Sequence, residues 1–355
     1  MDEIGARDRT ISRTVRLVYE YGQPLDLVAP AGSTVDGWRS GLVVFGPLTC
    51  SVIASLWNVG LPARAEELED LRNAARRALG SPREGNEHVP NIRQALVLWR
   101  VLAALSQLLE ELAALTSSLD RWHEAGYPRG LRCQIGEHYL KWDTQHDGGI
   151  VNSLMPWRDA QRVFGLLCYP SVEEARIVLN AEGANRVHGL AAKSAELAAT
   201  DFRASVEAAT PALRRTFVRH KHRITATSPG FAPIWLPKRG PDERALIEEK
   251  FRSGFGVFDW QPRAADPELV LWQARDDDLV GQLTLLTKAF ALFSLVLASV
   301  ARFILKEVDA LPLLIPPDSE LTDEDRSAIA DLQQGNYRSV AIARRHGGTH
   351  ESEPS

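Results

Sequence analysis

The segment Pro211-Ala-Leu-Arg214-Arg215-Thr-Phe-Val-Arg219-His220-Lys221-His222-Arg223 carries five formal positive charges, two histidines and no acid, in a chain whose net charge is −5. Guanidinium groups grip phosphate oxygens through paired N–H donors, and imidazole moves protons near neutral pH. Residues of these types packed this closely suit an anion, above all a phosphodiester. On a helix, Arg215, Arg219 and His222 are spaced four and three apart and share a face. Phe202, Val206, Ala209, Leu213 and Phe217 form an apolar stripe, which His220 continues three residues later. One face therefore offers cations while His220 turns toward packed surface; Arg214 and Lys221 point elsewhere.

Part of this cluster has a structural explanation. Arg219, Lys221 and Arg223 lie in the last turn before Ser228-Pro229-Gly230. Cations there oppose the negative end of a helix dipole, an effect of about 0.3–1 kcal/mol each. Arg214 and Arg215 lie near the helix start, where the dipole disfavours positive charge. They need an acidic neighbour, water or an anion.

The run Arg215-Thr-Phe-Val-Arg219-His220 places four residues between an arginine and a histidine. It resembles the R-x4–6-H motif of the HEPN superfamily of helical nucleotide- and RNA-associated domains. Arg214 with His220, and Arg215 with His222, satisfy the same spacing. The resemblance covers about nine residues. It implies a helical bundle that often dimerises and a metal-independent ribonuclease of bacterial defence or toxin–antitoxin systems. It also implies that Arg215 and His220 are catalytic, Arg215 on the scissile phosphate and His220 as general acid–base. Arg214, Arg219, Lys221, His222 and Arg223 would then contact RNA, with no metal and no cofactor.

Other constellations point less clearly to chemistry. Glu137, His138, Asp143, His146 and Asp147 gather oxygen and imidazole groups that a transition metal would accept. Their spacing matches no named metal motif, so a polar surface loop is the preferred reading. Cys133 lies five residues before His138 with nothing nearby to activate its thiol. Asp276, Asp277 and Asp278 would fan over different faces of a helix and suit a solvated surface. No P-loop, G-x-S-x-G, HExxH or strand-linked GxGxxG occurs.

Composition sets the frame. The chain has 355 residues, 45% of them apolar and 25% charged, which supports a sizeable buried core. The negative net charge excludes general coating of nucleic acid or anionic membrane, so any such binding is local. Cys50, Cys133 and Cys168 are few, odd in number and widely spaced, as expected in a reducing cytoplasm. MDEIGARDRT contains no apolar stretch of a signal peptide. Ala289 to Ala301 is uncharged for 13 residues, short of the roughly 20 that span a membrane, and reads as a buried core helix.

The elements that must position these groups are mostly helical. The expected class is mainly α: a helical bundle with long antiparallel helices and an irregular, partly β N-terminal region over residues 1–60. Pro62 opens a helix with Leu68, Leu71 and Ala75 at helical spacing, closed by Gly80. From Pro90, Leu98, Leu102, Leu105, Leu109, Leu112, Thr116 and Leu119 recur at steps of four and three. That repeat marks a helix packed along another, in a bundle core or a homodimer seam. Residues 128–170 read as irregular. Ser171-Val-Glu-Glu174 opens a short helix ending near Gly183, and another runs from Arg186 to Ala209. Thr210-Pro211 reads as an N-cap and first-turn proline. Asp266-Pro267 is expected to cap a helix continuing through the apolar 279–305 run. Leu311 to Pro317 resembles a linker, Thr322 with Asp325 opens a helix ending near Gly335, and residues 332–347 read as an amphipathic terminal helix. The expected division is 1–60, a bundle core at 61–310, a linker with C-terminal helices at 311–346, and a disordered tail at 347–355.

Three functions follow as rivals. The first is a HEPN-like RNA-cleaving or RNA-binding protein. The second is a non-catalytic scaffold whose basic face docks an acidic protein. The third is a metal-dependent enzyme built on residues 137–147.

Overall fold

The structure, a computed structural model, describes residues 47–79, 92–124, 135–143, 149–176, 179–210, 213, 226–227, 254–259, 268–273, 275–305, 311–316, 320–334 and 341–343. Within these the fold is mainly α. Helix α1 (Pro47–Ser55) buries Cys50 and Ile53 and passes through a π-turn, Leu56–Gly60, into α2 (Leu61–Leu79). Pro62 falls in the first turn, and Leu68, Leu71 and Ala75 are buried, as their spacing predicts.

The long helix α3 (Ile92–Glu124) buries every position of the four-and-three repeat from Leu98 to Leu119, and also Val101, Ala104, Leu108 and Leu115. Both flanks are covered because two helices lie against it. Helix α2 runs antiparallel to α3: Arg64 bonds Glu111, while Leu68 and Leu71 share a recess with Ala104 and Leu108 further back along α3. The other neighbour, α9 (Asp276–Leu305), runs in the same direction as α3. Gln94 Nε2 donates to Asp276 Oδ1 at 2.6 Å, and ten residues further on in both helices Ala104 meets Leu286 at the same recess.

Helix α9 is the one helix among the described residues long and apolar enough to cross a membrane, with a mean hydropathy of 2.0; 67% of that window is buried inside the fold. Every residue from Ala291 to Ala301 is buried. The hydroxyls of Ser294 and Ser299 donate to the carbonyls of Phe290 and Leu295 four residues back, at 2.8 and 2.9 Å. Polar groups bonded this way cost little in an apolar core. The first turn of α9 holds Asp276, Asp277 and Asp278, all exposed at the positive end of the helix dipole.

Residues 135–143 and 149–166 are more regular than their composition predicts. They contain α4 (Ile135–Lys141), α5 (Gly149–Leu154), a 3-10 turn (Met155–Arg158) and α6 (Ala160–Leu166). Each is short and packs on α3 or on α8 (Ala181–Ala208), so tertiary contact supplies what local propensity lacks. The short helix α7 (Val172–Ala175) ends earlier than expected. Gly183 belongs to the first turn of α8, where Asn180 Oδ1 accepts its N–H at 2.7 Å. Asn180 is thus the N-cap of α8, which starts five residues earlier than the expected Arg186.

Three further expectations are overturned. Residues 268–273 form strand β3, antiparallel to β2 (Gly254–Asp259), which also pairs with β1 (Ala226–Thr227). The short apolar run Leu269-Val270-Leu271-Trp272, with a β-branched and an aromatic residue, suits a strand, and the α9 helix starts only at Asp276. Residues 311–315 are buried throughout and contain strand β4 (Leu313–Ile315), so this stretch is core rather than linker. Ala341–Ala343 is strand β5, parallel to β4, where a terminal helix is expected. Between them, α10 (Asp323–Gln334) follows the Thr322 capping box: Thr322 Oγ1 accepts Asp325 N–H at 3.2 Å, and Asp325 Oδ2 accepts Thr322 N–H at 3.0 Å.

Candidate functional site

The structure describes Thr210 and Leu213 at the start of the basic segment. Helix α8 buries Phe202, Ala209 follows at 3% exposure, and Thr210 Oγ1 accepts the N–H of Leu213 at 3.1 Å. Thr210 is therefore the N-cap of a new helical start, and Leu213, 3% exposed, continues the buried stripe. Arg214, Arg215, Arg219, His220, Lys221, His222 and Arg223 lie outside the described residues.

Upstream of Thr210, the solvent face of α8 carries Glu196, Thr200, Arg203 and Glu207, spaced four and three apart. Arg203 reaches across to the 3-10 turn, donating from Nε to the carbonyl of Arg158 at 3.4 Å. Arg158 is held by Met155, whose carbonyl accepts from its Nε at 3.3 Å. Both arginines are exposed, and one turn further Arg162 lies in the first turn of α6.

Arg162 also takes part in a polar corner that spacing in the sequence does not announce. Asp120, near the end of α3, is 9% exposed. Its Oδ1 accepts from Arg162 at 3.0 Å and its Oδ2 from Trp157 Nε1 at 3.1 Å. Burial pushes this carboxyl above its ordinary range, although the Arg162 guanidinium opposes the shift. His123, one turn on, is lowered by burial and so stays neutral more readily. With both oxygens engaged, Asp120 clamps α3 to the 3-10 turn and α6 rather than standing ready as a base. The signal that could find it is an acid at a buried position of a leucine-rich helix.

A second cluster joins α2 to α3. Arg64 bonds Glu111 through two nitrogens, one contact being 3.3 Å, and Glu67 at 2.7 Å. Beside it lies a small recess of about 10 Å³, floored by Leu68, Leu71, Ala104, Leu108, Leu286 and Phe290. The nearby Tyr139 hydroxyl is pushed up to about 12 by burial, with Glu111 adding to the shift. Each charged group at this rim already holds an opposite charge, so the recess offers an apolar dent without a reactive group.

The metal reading of residues 137–147 gains nothing. Glu137 pairs with Lys141 at 2.5 Å, His138 Nδ1 lies 3.4 Å from Arg121, and no group of three metal-binding side chains occurs among the described residues. His146 and Asp147 lie outside them.

Comparison with protein-family models, curated proteins and solved structures found no match.

Proposed function

We propose that this protein binds RNA through the basic segment 211–223, and that the segment carries a HEPN-like, metal-independent cleavage pair. The reading is supported by the sequence of the segment, five cations and two histidines without an acid, and by Thr210 Oγ1, which accepts the Leu213 N–H at its start. On a helix at about 100° per residue, the sequence would put Arg215, Arg219 and His222 on one face and His220 on the face of Leu213. The cleavage pair is Arg215 with His220, and the same spacing admits Arg215 with His222.

The chemistry asked of these groups is ordinary. An imidazole takes the proton of a ribose 2′-hydroxyl, the 2′-oxygen attacks the adjacent phosphorus, and the bond to the 5′-oxygen breaks. The leaving oxygen gains a proton from an acid or water, and a 2′,3′-cyclic phosphate remains. The Arg215 guanidinium stabilises the charge on the phosphoryl oxygens. RNA incubated with the protein in EDTA should be cleaved, and His220→Ala or His222→Ala should abolish cleavage without changing the circular dichroism spectrum. Cleavage that survives both substitutions sinks the assignment.

A second reading has its own support. The polar clusters at Asp120, Arg64 and Asp325 are taken up by pairs that hold elements together. That suits a scaffold whose basic face docks an acidic protein. In that case there is no turnover, and reversing Arg215 and Arg219 to glutamate loses the partner.

A further inference from the structure

We draw no further inference here: the strongest candidate, the solvent-facing stripe of α3 that carries Arg93, Leu96, Arg100 and Gln107, is an exposed helix face on which Leu96 is 59% exposed, and nothing in the structure shows what covers it.

Discussion

The hydroxyl of Ser194 on α8 accepts the backbone N–H of Leu314 at 2.7 Å and meets the Tyr169 hydroxyl at 2.9 Å. Ser194 and Leu314 are both fully buried. One small side chain thus pins strand β4 to the longest described face of α8 and satisfies an N–H that would otherwise be stranded in the core. Ser194→Ala should cost about 1–3 kcal/mol, the usual penalty of a buried unsatisfied group. Urea unfolding measures it; a loss below about 0.5 kcal/mol would show that water replaces the hydroxyl.

Gly136 lets α4 touch α1. A β-carbon there would lie 2.6 Å from Thr49 Cα and 3.0 Å from Thr49 N, and Gly136 N–H donates to Thr49 Oγ1 at 3.1 Å. Backbone cannot give way as a side-chain tip can. Gly136→Ala should therefore destabilise by about 1–3 kcal/mol, the range for overpacking. Thermal melting that matches wild type would mean that the helices separate freely.

Cys168 occupies a position shaped for glycine. Its φ is 51°, and it follows α6 in a Schellman arrangement: Tyr169 N–H to Phe164 O at 3.2 Å and Cys168 N–H to Gly165 O at 3.0 Å. The Phe164 and Tyr169 rings, 5.5 Å apart, supply the apolar contact that accompanies such an ending. Left-handed backbone costs a side-chain-bearing residue about 1–2 kcal/mol. Cys168→Gly should be neutral or up to about 1 kcal/mol stabilising, while Cys168→Val should destabilise by more than that. Calorimetric midpoints of the two variants decide it, and the reverse order would refute the strain.

Asp325 and His123 set opposite ends of the acid response. For Asp325, burial raises the carboxyl, but hydrogen bonds from Lys193 and Thr322 together outweigh it and hold it below its ordinary value of 3.8. Its stabilising contribution is present above the unfolded-state value and is lost as pH falls through the lower, folded-state one. Asp325→Asn should cost about 1–2 kcal/mol at pH 7 and almost nothing at the acid limit.

The His123 ring, lowered by burial from 6.5, also favours folding only while neutral. Its contribution is full above 6.5 and fades as pH falls through the folded-state value. Between pH 7.5 and 5 the wild type should lose more stability than His123→Gln. Parallel urea midpoints for the two proteins across that range would exclude the effect.

The leucine spacing of α3 was readable because burial on two flanks demands apolar residues at nearly every core-facing turn, and no other constraint competes there. The cap at Thr322 and the start at Thr210 were readable for a similar reason: a side-chain oxygen satisfies a backbone N–H within three residues, so the information is local. Asn180 uses the same device, but Gly183 reads as a stop as readily as a first-turn residue. Strand β4 was not readable. Leu-Leu-Ile between prolines looks like a linker until Ser194, far away in sequence, reaches its backbone. The Asp120 corner failed for the same cause, since Trp157 and Arg162 come from elements whose helicity depends on packing.

By itself the amino-acid order determined the helical class, the buried faces of α2, α3 and α8, and the concentration of cations at 211–223. These follow from periodicity and local capping, whose physics acts over a few residues. Only the tertiary structure decided that α9 runs beside α3 in the same direction, that residues 311–315 belong to the core, and that Arg158 meets Arg203. Those outcomes depend on which distant surfaces bury each other, and contacts across more than forty residues leave no periodic trace in the chain.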